Sequence, residues 1–212
     1  MYNPKHFSQH DVQALHRLIR AYGFATVISQ QDGEFMISHI PVLLDEAAAP
    51  NGRLIGHFAR ANPHWQIFAR GSEVLVIFQG PHTYISPNWY EHPQRMVPTW
   101  NYTVAHFYGT PRIVEDKIKL KQMQRALVNQ YESAFAQPWT MDLPDDFLDA
   151  QLNAIVGFEI DITRIEGKFK ISQNRTPADQ RRVIAALEKH SDAMSQEMAK
   201  LMQQRLDNQE PA

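Results

Sequence analysis

Two groups of residues carry most of the chemistry this sequence can offer. The first is Arg60-Ala61-Asn62-Pro63-His64-Trp65, where a cation sits beside a helix start. Asn62 suits an N-cap and Pro63 the first helical position. The free backbone donors and positive end of a helix there would attract a phosphate, with Arg60 completing the cradle. Pro63 removes one of those donors, and an ordinary capped surface helix explains the same residues. The second group is KFKISQNR, in which Lys168, Lys170 and Arg175 alternate toward one strand face and its exit. They form another positive cluster, which could reach a partner's phosphate if two subunits share a site. A solvated strand face is the plainer reading of them.

Between these groups lies VPTWNYTVAHFYG, spanning residues 97–109. On a strand its side chains alternate between faces. Trp100, Tyr102, Val104, His106 and Tyr108 make a bulky face that can pack. Thr99, Asn101, Thr103, Ala105, Phe107 and Gly109 make a mostly small face with hydroxyl and amide groups. That face would suit a planar heteroaromatic ligand with polar edges. A strand with an aromatic core face and a solvent face is the plainer reading.

Other chemistries find little support. There are no cysteines, which excludes disulfides, Cys-ligated metals and thiol catalysis. The ten histidines fall in no HxxxH or HExxH spacing, so a metal site built from one helix is not expected. His57, His64, His82, His92 and His106 remain candidate haem ligands or proton carriers only in a loose sense, since a lone strand histidine is usually a packed one. No nucleophile triad or paired-carboxylate spacing stands out. With 21 basic and 23 acidic residues the net charge is −2, unlike a stand-alone nucleic-acid-binding domain. The N-terminal stretch has no apolar signal region, and no run reaches bilayer-spanning length, so a soluble cytoplasmic protein is expected.

Several elements must position these residues. Phe7-Ser8-Gln9-His10-Asp11-Val12 reads as a helix start capped by Ser8, with Val12, Leu15, Ile19 and Tyr22 recurring until Gly23. FATVIS and FMISHIPVLLD flank Asp32-Gly33 as a hairpin, and Arg53–Ala59 makes a third strand. Residues 74–80 read as a strand buried on both faces, continuing past Gly80-Pro81 to residue 86. After the proline-rich loop 87–96 comes the aromatic strand, then a helix over 116–135. IVGFEIDITRIEGKFKIS reads as two strands with a turn near Glu166-Gly167. Thr176-Pro177 opens one long helix bearing Val183, Leu187, Met194, Met198 and Leu201 on a stripe, and residues 209–212 are expected to fray. Roughly seven strands in hairpin succession, without a βαβ rhythm, predict an antiparallel barrel of the α+β class.

Taken in order, GHFARANPHW, VLVIFQGPHTYISPNWY, VPTWNYTVAHFYG and KFKISQNR resemble the PaiB-type family of FMN-binding negative transcriptional regulators, from Tyr2 to about Arg182. The resemblance implies an antiparallel split β-barrel over residues 1–175 with flanking helices. A long C-terminal helix over 176–212 would pack on the barrel or on a dimer partner. It also implies a homodimer with FMN at the subunit interface. By position, the phosphate would meet Arg60, Asn62 and His64; the ring would lie against Thr99, Asn101 and the strand from Phe78 to Pro81; Lys170 would come from the closing motif. No helix-turn-helix or basic recognition face accompanies the regulator label, so direct DNA contact stays open. A flavin-dependent oxidoreductase and a haem-binding split barrel are the alternatives.

Overall fold

A computed structural model describes residues 1–208; the expected fraying at residues 209–212 falls outside the described residues. In chain order the elements are β1 (Ser8–Gln9), α1 (Val12–Ala21), β2 (Phe24–Gln31), β3 (Glu34–Asp45), β4 (Arg53–Ala59), α2 (His64–Phe68), β5 (Val74–Ile85), β6 (Thr99–Val114), α3 (Lys117–Glu132), α4 (Asp145–Asn153), β7 (Ile155–Lys170), α5 (Pro177–Leu187) and α6 (Ala193–Asp207). The strands pair in the order β1-β7-β4-β3-β2-β5-β6, and β6 pairs again with β7. The expected α+β architecture, a split barrel with flanking helices, is therefore the observed one.

The chain divides into two compact units. One comprises His16–Phe78 and His106–Ile165, the other Met1–Leu15, Gln79–Ala105 and the chain from Glu166 onward. In the first, the β2–β3 hairpin closes through Asp32 and Gly33, whose φ angles of 52° and 86° fit a tight turn of inverted hand. The full register runs from Phe24↔Pro41 to Gln31↔Glu34. Inside this unit Phe58, Phe68 and Phe158 contact one another at centroid distances of 5.0 Å, and Phe78 meets Phe107 edge-on at 5.5 Å. Each fully buried phenylalanine contributes about 2 kcal/mol. Gly56 lies opposite Phe158 because a Cβ there would come within 2.5 Å of that ring.

On one flank α3 and α4 bury Val114, Leu120, Met123, Leu148 and Leu152 together. Helix α4 was not anticipated, although Leu148 and Leu152 four residues apart behind an acidic first turn carry its signature. Asp116 caps α3 by accepting from the Lys119 amide at 2.8 Å, and that helix ends at Glu132 rather than near residue 135.

The second unit holds β1, the far ends of β5, β6 and β7, and the two C-terminal helices. Its core joins Ile85, Tyr90 and Ile171 to Val183, Leu187, Met198 and Met202. Four expectations need correction. The C-terminal segment is two helices, because Asp192 caps a new start by accepting from the Ser195 amide at 2.9 Å. The last two strands are one, β7, running straight through Gly167. Glycine is needed there because a Cβ would come within 2.5 Å of Leu15 and 2.8 Å of the Gln9 carbonyl. Ser8 pairs with Lys168 in β1, and Asp11 instead accepts from the Gln13 amide at the start of α1. The fourth concerns the aromatic strand.

Along β6 the small face points inward: Asn101, Thr103, Ala105, Phe107 and Gly109 are buried, whereas Trp100 is 53% exposed. In the first unit that face meets a phenylalanine, Phe107 packing on Phe78; in the second it meets the turn after β7 and helix α6, Asn101 donating to Ser172 Oγ and reaching Met202. Its bulky residues lie outside, with the Arg164 guanidinium 3.4 Å from the Tyr108 ring centroid and Lys168 5.3 Å from that of Tyr102.

Candidate functional site

The Arg60 corner is internally satisfied. Arg60 donates from Nε to the Asn153 carbonyl at 2.9 Å and from Nη2 to the Ile155 carbonyl at 3.1 Å, and it pairs with Glu115 at 3.0 Å. These contacts hold the α4–β7 junction against the end of β4. Asn62 accepts from the His64 amide, as an N-cap should, and donates to Ser38 Oγ at 3.1 Å. His64 is wholly buried, its Nε2 2.6 Å from Ser29 Oγ and its Nδ1 2.8 Å from Ser38 Oγ. Burial pushes its pKa down to about 4, so the ring is neutral. The helix that follows has five residues. This corner reads as a packed polar hub, with Phe78 likewise enclosed in the same unit.

The second cluster is different. Thr99, Asn101 and Lys170 come together with Tyr90, Ser172 and Arg175 around a cavity of about 70 Å³. The extended ends of β6 and β7 present the first three. The turn leaving β7 presents Ser172 at a left-handed φ of 62°, a conformation that costs about 1 kcal/mol for a residue other than glycine. That backbone is held by Asn101, whose Nδ2 donates to Ser172 Oγ at 2.9 Å, and by the Arg175 amide, which donates to the Ser172 carbonyl at 2.9 Å. Lys170 donates to Thr99 Oγ1 and to the Trp100 carbonyl.

The electrostatics of this pocket are uncompensated. No carboxylate lines it, and among the described residues none pairs with Lys168, Lys170 or Arg175. Burial, reinforced by the charges of Lys168 and Arg175, holds the Lys170 ammonium below the ordinary lysine range. Arg175 stacks 5.3 Å from the Tyr90 ring centroid. The Tyr90 hydroxyl is buried and has no hydrogen-bond partner among the described residues. Buried hydroxyls are rarely left so, and the cations around it favour an anion. Tyr90 comes from the proline-rich loop 87–96, and only the fold brings it to the KFKISQNR cations.

Elsewhere, a groove of about 360 Å³ between α3 and α4 carries both lysines and aspartates, with Lys117 paired to Asp149 at 3.0 Å. Among the described residues no group of three or more His, Asp or Glu side chains could hold a metal ion, and no helix is long and apolar enough to cross a membrane.

The ring of antiparallel pairings defines the class as a flavin-binding-type split barrel. Solved structures agree on the fold: the FAD and haem binding protein from Mycobacterium smegmatis superposes with a TM-score of 0.57 at 16% identity, covering 77% of this chain and 73% of that one. The flavocytochrome Anf3 from Azotobacter vinelandii gives 0.57 at 11% identity over 80% and 70%. A family model described as "Putative FMN-binding domain" matches residues 1–164. The Bacillus subtilis (strain 168) protein named "Protease synthase and sporulation protein PAI 2" is 34% identical over 210 residues, 99% of this chain and 100% of that relative. The chain belongs to this PaiB-type family of FMN-binding-domain proteins.

Proposed function

We propose that the chain is a cytoplasmic, FMN-binding homodimer of the PaiB type, with a regulatory role like the one its family label describes. The observation that carries this reading is the family match over residues 1–164. The pocket beside Lys170 supports it, since its chemistry fits the anionic end of a flavin nucleotide.

A dimer is supported by the outer face of β2, β3 and β5. Ile28 lies opposite both Ile37 and Leu75, and Thr26 opposite Ile77. Phe24 and Phe35 are each 68% exposed and Ile37 is 52% exposed. An apolar ladder of this kind on a sheet exterior is what a second copy would cover. Sedimentation of the protein should give a dimer, and Ile37→Asp a monomer. A wild-type monomer refutes that part of the reading.

The test of the cofactor is an absorption spectrum of gently purified protein followed by mass analysis of the released ligand. Flavin bands with the mass of FMN are expected. An intense Soret band would transfer the protein to the haem-binding class, and NAD(P)H-driven bleaching of the bound flavin would make it an oxidoreductase.

A further inference from the structure

We propose that Tyr90, Lys170, Ser172 and Arg175 form a pocket for a dianionic phosphate group, with the Tyr90 hydroxyl as a buried neutral donor between two cations. These residues are distinct from the Arg60-Asn62-His64 corner, which the sequence suggests for a phosphate.

Three independent observations support it. Tyr90 sits among apolar residues of the α5–α6 core and lines the cavity, yet its buried hydroxyl has no partner among the described residues. Burying a hydroxyl unpaired costs about 1–3 kcal/mol, so a polar ligand there recovers what the apo protein gives up. Lys170 and Arg175 line the same cavity, Lys168 adds its charge to theirs, and no carboxylate offsets them. Packing like charges at a pocket is unfavourable until a counter-charge enters. Finally, Ser172 is fixed in its left-handed conformation by Asn101 and the Arg175 amide, which pre-organises the wall.

The geometry also selects the ligand. A cavity of about 70 Å³ admits a phosphate-sized group but not an isoalloxazine ring, so any larger molecule must leave its ring outside. Neutral donors and forked guanidinium geometry favour a tetrahedral dianion over a chloride or a single carboxylate. The identification of that phosphate with the end of FMN rests on the cofactor reading above; the anion pocket does not.

The experiment measures inorganic phosphate, FMN and riboflavin binding by calorimetry to the full-length protein and to two variants, Tyr90→Phe and Arg175→Gln, each checked for folding by circular dichroism. Tyr90→Phe keeps the ring in the core and removes only the oxygen. Wild-type protein should bind phosphate saturably, with each variant weaker by about tenfold or more, the loss of one hydrogen bond to a charged group. FMN should weaken in parallel while riboflavin is unaffected, which places the FMN phosphate in the pocket. Variants that lose phosphate but keep FMN would assign the pocket to another phosphorylated ligand. Phosphate binding with no flavin binding to any form would sink the cofactor reading and leave the pocket standing. No saturable phosphate binding by the wild type, or equal binding by both folded variants, overturns the proposal.

Discussion

Acid should destabilise this protein chiefly through His64, the histidine that burial shifts most. Its ring lies between the Ser29 and Ser38 hydroxyls and stacks on Phe58 at 4.9 Å, with no exposed surface. Burial holds its pKa at about 4, against the 6.5 of the unfolded chain. Because the folded-state value is depressed, the unfolded chain binds a proton between these limits and the native protein does not. The stabilisation is therefore complete above pH 6.5 and is lost as pH falls toward 4. A difference of about 2.5 pH units is worth about 3 kcal/mol, of which about 2 kcal/mol disappears between pH 7 and pH 5. Urea denaturation of wild type and His64→Gln at those two pH values measures it. The wild type should lose about 2 kcal/mol more than the variant. His57, also pushed down by burial, contributes equally to both proteins and cancels. Should the variant fail to fold, NMR titration of the wild-type imidazoles serves instead, with the His64 ring still neutral at about pH 5. Equal pH slopes, or a His64 ring that protonates near pH 6.5, would refute the reasoning.

Arg60→Ala should leave flavin affinity unchanged and lower stability by roughly 1–2 kcal/mol, because its guanidinium serves two carbonyls at the α4–β7 junction; a loss of flavin binding without a loss of stability would restore the phosphate role that the sequence suggests. Gly109→Ala should cost upwards of about 3 kcal/mol in thermal denaturation, since the new Cβ would fall 2.3 Å from the Asp161 carbonyl where β6 meets β7. Phosphate affinity should begin to weaken with rising pH before the ordinary lysine range is reached, because burial and its cationic neighbours make Lys170 surrender its proton early, and Lys170→Arg should flatten that profile under calorimetry.

Local signals that rest on nearest neighbours were legible in the sequence. Asp32-Gly33 specified its turn, Thr176 its cap on α5, and the apolar run after residue 74 a strand continuing past Pro81 to Ile85, although burial alternates along that strand instead of covering both of its faces as the run of apolar residues suggests. What escaped depended on partners distant in the chain. Alternation along VPTWNYTVAHFYG identified two faces but not which one faces in, since that choice depends on neighbours distant in the chain, Phe78 for Phe107 in one unit and Ser172 and Met202 for Asn101 in the other. Gly167 looked like a turn residue because glycine serves turns and close approaches alike, and only the proximity of Leu15 and Gln9 distinguishes them. The helix break before α6 was hidden because the apolar stripe continues across it, while Asp192 supplies the interruption. Among site residues, Thr99, Asn101 and Lys170 were singled out and do meet at one cavity, but Tyr90 reaches it from a loop with no local periodicity to announce it.

Three groups of cations on this molecule show why one of them is the candidate for binding. Arg53, Arg112 and Lys119 surround Glu159 and Asp161, with Arg53–Asp161 and Arg112–Asp161 both at 2.6 Å and Lys119–Glu159 at 2.8 Å. The two guanidinium groups hold the Asp161 carboxyl at a pKa of about 2, the mark of a site already neutralised from within. Arg60 is committed to Glu115 and two carbonyls. Both groups do structural work, fastening a helix or a strand end, and a ligand anion would have to displace carboxylates that are held by the fold itself. Among the described residues, Lys168, Lys170 and Arg175 have carbonyls, a hydroxyl and aromatic faces as their partners. Those neighbours tolerate positive charge without cancelling it. An incoming phosphate at that cluster therefore meets an attraction that no internal carboxylate competes for, which is the physical difference between a cation that braces a fold and one that is kept for a ligand.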